Sequence, residues 1–134
     1  MVLEIGSSAQ RSRTITASDI LAFADAVDDH NPVHVDEKYA AATQFGQRIA
    51  HGMLGASLIS SALANDLPGP GSIYLGQTLK FKKPVYIGDT ITVSLVCTSY
   101  RERSRVATFS TNVTNQHGEI VIEGEATVIA PEAG

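Results

Sequence analysis

Residues 52 to 66 read GMLGASLISSALAND and carry no charged side chain before Asp66. At helical spacing this puts small or apolar groups on every face, so the segment is expected to be a helix buried all round. It is too short to cross a bilayer, which takes about 20 consecutive apolar residues. Its cover must therefore come from the rest of the chain. The helix should stop at Leu67-Pro68-Gly69-Pro70-Gly71, a cluster that suits neither a helix nor a central strand. With 134 residues, 43% of them apolar, the chain is sized for one core and a single domain spanning 1–134.

Candidates for that cover follow the break. SIYLGQTLKFKK, DTITVSLVCTSYRE, RVATFSTNVTNQ and EIVIEGEATVIA alternate in polarity or are rich in β-branched residues. Turn-forming stretches separate them at residues 84 to 89, Arg103-Ser104 and His117-Gly118. An antiparallel meander that curls around residues 53 to 65 is expected. Ahead of the apolar helix, residues 18 to 28 (SDILAFADAVD) set Ile20, Leu21, Phe23, Ala24 and Val27 on one helical stripe, with Thr16 or Ser18 as cap. Pro32 ends that pattern and leaves residues 29 to 35 irregular. Asp36 can cap a short helix through EKYAAAT, after which FGQRIAHG runs as loop. The fold class expected is α+β, an antiparallel sheet wrapped around a long apolar central helix.

Charge and cysteine content exclude several functions. Ten Lys plus Arg against 14 Asp plus Glu leave a net charge of -4, without the basic excess that phosphate backbones require. Nucleic acid is not an expected partner. No apolar run approaches a membrane span, and MVLEIGSSAQ has neither the charged nor the apolar region of an export signal. An unexported, cytoplasmic protein that makes no membrane contact is expected. The single Cys97 allows no intramolecular disulfide and no cysteine zinc cage, which fits a reducing compartment.

The stretch Asp29-His30-Asn31-Pro32-Val33-His34 sets a carboxylate and an imidazole five residues apart across a proline-restricted loop. A loop that doubles back can aim both at one water, an acid/base pair suited to adding or removing water. Spacing alone fits equally a polar helix end and an ordinary loop histidine. His51-Gly52-Met53 opens the apolar helix, where unpaired amides and the helix dipole favour developing negative charge. Gly52 there is either a seat for a thioester oxygen or an easy turn into a packed helix. His30 and His34 are four apart, but Pro32 breaks the helix that would present them together, so no metal is expected. Lys80, Lys82, Lys83, Arg101, Arg103 and Arg105 cluster on the strand segments. They either form a solvated sheet face or receive the phosphates of a cofactor-sized thioester.

Taken together, DHNPVHVDEKYAAATQFGQRIAHGMLGASLIS resembles the signature region of the R-specific enoyl-CoA hydratases, the MaoC-like dehydratases, with D-x-N-P-x-H followed by I-x-H-G-M. GSIYLGQTLKFKKPVYIGD is similar to that family's next recognisable segment, and the likeness covers roughly residues 15 to 130. The resemblance implies a hotdog fold and reversible syn addition of water to a trans-2-enoyl-CoA. It also implies an acyl-CoA thioester substrate, a homodimer joined sheet edge to sheet edge, and no cofactor. By the same resemblance Asp29 and His34 hold the water, the Gly52 N–H binds the thioester oxygen, Asn31 holds the loop and Ser60 lies near the acyl pocket. Two alternatives on the same fold stay open. A thioesterase would commonly set a carboxylate on the central helix, and residues 53 to 65 have none. A noncatalytic acyl-thioester binding subunit would not need Asp29, His34 and Gly52 together.

Overall fold

A computed structural model describes residues 3–132. Strand β1 (Ser8–Thr14) leads into α1 (Ala17–Val27), two short helices α2 (Pro32–Val35) and α3 (Glu37–Ala41), and the central α4 (Gly52–Asn65). Strands β2 (Ile73–Phe81), β3 (Thr90–Arg101), β4 (Val106–Thr114) and β5 (Ile120–Ile129) complete the chain. All five strands form one antiparallel sheet in the order β1-β3-β4-β5-β2.

Local chemistry explains the helix ends. The Thr16 hydroxyl accepts from the Asp19 amide while the Asp19 carboxylate accepts from the Thr16 amide, a reciprocal capping box that starts α1. Its apolar stripe is only partly covered: Ile20 and Ala24 are buried, whereas Leu21 and Val27 stand about half exposed. Residues 29 to 35, expected to be irregular, are only partly so: residues 32 to 35 form a helical turn. Pro32 occupies its first position, where a fixed φ helps and the missing N–H would have no partner anyway. Asp36 caps α3 by accepting from the Tyr39 amide.

The core lies between α4 and the sheet's concave face. Ala56, Ile59, Ala62 and Leu63 meet Ile91, Val93 and Leu95 of β3, Phe109 and Val113 of β4, and Ile122, Ala126 and Val128 of β5. The long apolar helix inside a curled sheet is the hotdog arrangement. Gly124 permits β2 to close on β5, since a Cβ there would sit 2.2 Å from the Thr78 carbonyl oxygen. No helix among the described residues is long and apolar enough to cross a membrane.

Three expectations need correction. The strands are not a simple meander, because β3, β4 and β5 are consecutive neighbours while β2 pairs with β5 at the far edge. Residues 82 to 89 carry the chain back across, with Ala50 N–H donating to Val85 and Ile15 N–H to Asp89. Strand β1 (SAQRSRT) carries no apolar alternation, since it is an edge held through side-chain polar pairs. Ser12 meets Thr92 and Thr14 meets Thr90, each at 2.7 Å, and Arg11 reaches Asp66 at 2.7 Å. Finally, α4 is not buried all round. Its Met53, Ser57, Ser60 and Ala64 face outward, because one sheet covers only one side of a helix.

Candidate active site

The residues of the Asp29 to His34 loop are fixed by their own backbone. The Asn31 side chain accepts from the Val33 amide and its carbonyl accepts from the His34 amide, so Asn31 caps the turn that carries His34. The Asp29 carboxylate accepts from the Asn31 amide at 3.3 Å and otherwise stays exposed. Arg48 Nε donates to the His34 carbonyl at 2.7 Å, tying the turn to the strand-like loop that precedes α4.

The loop doubles back. Asp29, His34 and His51 each offer a polar atom within 4.8 Å of one another, and all three line one cavity of about 400 Å³ together with Gly52. His34 Nδ1 lies 2.7 Å from the Ile49 carbonyl oxygen, which can only accept. Nδ1 therefore carries the hydrogen, and the neutral ring keeps its lone pair on Nε2. Burial pushes the His34 pKa below its ordinary 6.5; the Ile49 hydrogen bond opposes this, nearby His51 adds to it and Asp29 opposes it. The neutral, proton-accepting form is favoured.

Gly52 is the first residue of α4, and no side chain caps that end. Its amide belongs to the unpaired first turn, and α4 is long enough to add a favourable dipole toward an anion. Phe81 of β2 lies directly over it: a Cβ on Gly52 would come 2.7 Å from Phe81 Cε1. This aromatic ring lines the cavity beside Met53, Lys82 and Lys83. A place for Phe81 at the cavity has no signature in sequence, because it depends on how β2 lies against the start of α4.

Other candidates fall elsewhere. Ser60 faces a separate groove of about 440 Å³ with Met53, Tyr74, Leu75 and Gln77, and among the described residues only Met53 also lines the cavity of Asp29 and His34. His30 points away from His34 toward Asp25 and Asp28, at 2.9 and 3.2 Å. The cavity-lining trio could present ligand atoms to a metal ion, but the His34 and His51 rings stack with centroids 4.0 Å apart at 31°. One nitrogen of each ring is already engaged by a backbone carbonyl, His34 Nδ1 by Ile49 and His51 Nε2 by Asp29. Of the basic cluster, Lys82 and Lys83 reach the cavity mouth, and Lys83 pairs with Glu119. Arg105 instead bonds the Ala130 carbonyl and Glu132.

The chain is similar to known proteins over nearly its whole length. Residues 4–119 match the MaoC like domain. The (R)-specific enoyl-CoA hydratase of Rhodospirillum rubrum is 51% identical over 129 residues, covering 96% of this chain and 89% of that protein. The unliganded R-hydratase of Pseudomonas aeruginosa superposes with a TM-score of 0.93 at 48% identity, covering 97% of this chain and 83% of that one. The (R)-hydratase of Aeromonas caviae, involved in PHA biosynthesis, gives a TM-score of 0.93 at 46% identity over 96% of this chain and 98% of its own. With the family domain matched over most of its length and relatives of this identity spanning nearly all of it, the chain belongs to the MaoC-like dehydratases.

Proposed function

We propose that this chain is an R-specific enoyl-CoA hydratase, a hydro-lyase that adds water reversibly to a trans-2-enoyl-CoA to give the (R)-3-hydroxyacyl-CoA. The observation that carries the reading is the meeting of Asp29 and His34 at one cavity whose wall includes the uncapped start of α4. Water sits between the Asp29 carboxylate and His34 Nε2. His34 takes one proton as the water oxygen bonds to the β-carbon, and the double-bond electrons move onto the thioester oxygen. The Gly52 N–H stabilises that oxygen more in the enolate than in the starting carbonyl. The imidazolium then returns its proton to the α-carbon and the carbonyl re-forms. Both new bonds arise on the face turned toward the pair, which makes the addition syn. Asp29 orients the water and offsets the transient positive charge on His34.

The direct test is loss of conjugated-thioester absorbance on mixing the protein with crotonyl-CoA and longer enoyl-CoAs, followed by chiral analysis of the product. Absence of hydration across the series, or an S product, rejects the reading. The pH profile adds a sign. Protonation of His34 removes the acceptor, so kcat/KM should fall as pH drops through a value below 6.5, the ordinary histidine pKa. His34's contribution to stability runs the same way, because the unfolded chain takes that proton more readily than the native one. It is present above the ordinary value and is lost as pH falls through the native one.

Gly52→Ala gives a second check. The added methyl must push the Phe81 ring, which is about half exposed and free to move, so folding should survive. The displaced ring enters the space of the thioester. A fall in kcat/KM of about tenfold to a hundredfold with little change in melting temperature is expected, as for a small misplacement of reacting groups. Unchanged kinetics would show that the displaced Phe81 ring does not reach the thioester, since alanine keeps the same backbone N–H.

The working unit is a homodimer. Strand β2 has one edge unpaired and exposes Ile73, Tyr74, Leu75 and Phe81, next to the exposed Met53 of α4. A second copy applied edge to edge would pair that strand and cover the outward face of α4 and the Ser60 groove. We assign the enzyme to the cytoplasm, in keeping with a buried, unpaired Cys97. By likeness to the A. caviae hydratase, we assign its product to PHA biosynthesis.

A further inference from the structure

His51 occupies the cap position of α4, yet its side chain makes no cap bond. It turns inward and is 3% exposed. Its Nε2 lies 2.9 Å from the Asp29 carbonyl oxygen, so Nε2 is the donor. Its ring stacks on His34 at a centroid distance of 4.0 Å and meets Phe23 of α1 at 5.0 Å. The remaining nitrogen, Nδ1, is buried with no hydrogen-bond partner. A ring held only for packing would not need that orphaned nitrogen, since Phe offers similar volume without it. What the imidazole adds is a donor on one edge and a polar ring face.

We infer that His51 is a positioning residue for the hydration step, clamping the Asp29 backbone with its Nε2 hydrogen and the His34 ring with its face. The inference rests on the hydratase reading. One ring touches both groups proposed to hold the water: the carbonyl of Asp29 belongs to the same residue as the carboxylate, and the stacked His34 is held on its other side by Ile49. Removing the clamp leaves both groups present but free to drift, which costs turnover more than substrate binding. Burial holds the His34 pKa down, and the nearby His51 ring adds to that lowering. The further charged groups that face the same cavity are Asp29, Lys82 and Lys83, with uncharged Phe23 behind the ring.

Two substitutions separate the contributions. His51→Phe keeps the stacked ring and loses the donor; His51→Gln keeps an amide donor and loses the ring. With crotonyl-CoA, kcat of His51→Phe should fall about tenfold to a hundredfold with KM nearly unchanged. His51→Gln should recover part of the lost kcat. In His51→Phe the acid limb of kcat/KM should also move toward neutral pH, because His51 no longer adds to the lowering of the His34 pKa. Folded fraction and melting temperature are measured alongside by circular dichroism. Wild-type kcat with an unmoved acid limb in His51→Phe overturns the inference. So does a loss of kcat that merely follows the loss of folded protein in both variants. If the wild-type protein itself hydrates no enoyl thioester, it is the hydratase reading that fails.

Discussion

Asp29→Asn and His34→Ala should each lower the rate of crotonyl-CoA hydration by about 10²- to 10⁴-fold, the usual worth of a placed proton-transfer group. The two substitutions disturb the fold unequally, which makes them informative together. Asp29 is exposed, and among the described residues its carboxylate accepts only from the Asn31 amide. An amide oxygen can replace that bond, so Asp29→Asn should melt near the wild-type temperature. It cannot balance an imidazolium. His34→Ala strands the Ile49 carbonyl, which loses its 2.7 Å donor. A cost of about 1–3 kcal/mol in stability is expected for one buried polar group left unsatisfied. Because the pair serves a single water, the double variant should be little worse than the slower single one. Absorbance assays and thermal melts on all three proteins decide the matter, and near wild-type turnover in both single variants would leave the site without its chemistry.

A Leu75→Lys substitution should break the proposed homodimer. The pairing of β2 with β5 slips between Tyr74 and Gly76, and Leu75 is the extra residue of that bulge. Its side chain is 53% exposed and lines the groove with Met53 and Ser60. In a two-fold dimer the same contact occurs twice. Burying the exposed half of two leucine side chains is worth about 1.5–3 kcal/mol in all, or roughly one to two powers of ten in the dissociation constant. Placing an ammonium there adds a desolvation cost to that loss. Sedimentation at micromolar concentration should find the variant monomeric. Activity should fall more than about tenfold, because Met53 belongs to both this groove and the catalytic cavity, and a loosened wall displaces the substrate. A fully active dimer in the variant would place the interface on another surface.

Which parts of this were readable without coordinates follows from where the information resides. The cap of α1, narrowed in sequence to Thr16 or Ser18, the uncharged run of α4 and the alternation along β3 and β4 are side-chain patterns, and each marks its element. Strand β1 has no such pattern, since its partners are hydroxyls and salt links on an exposed edge. The place of β2 at the sheet's far side depends on its long register with β5, a nonlocal fact. At the site, the D-x-N-P-x-H spacing pointed to residues that do meet. Pro32 was read as a breaker when it equally starts a turn. The tautomer of His34 is set by the carbonyl of Ile49, a backbone group that leaves no trace in residue identity. The outward turn of Ser60 into its own groove depends on which side of α4 the sheet covers, and composition could not tell the sides apart.

The segment that presents His34 is anchored lightly. Residues 31 to 50 hold together through their own bonds, Arg48 to the His34 carbonyl and the Ile49 amide to Val33. Their backbone ties to the sheet side are the Ala50 amide to Val85 and the short bridge between Ile49 and Tyr86. Such a flap opens at lower free energy than the interior it covers. Heat should therefore disarm this enzyme before melting it, and a ligand lying across the flap would protect its catalytic competence more than its fold.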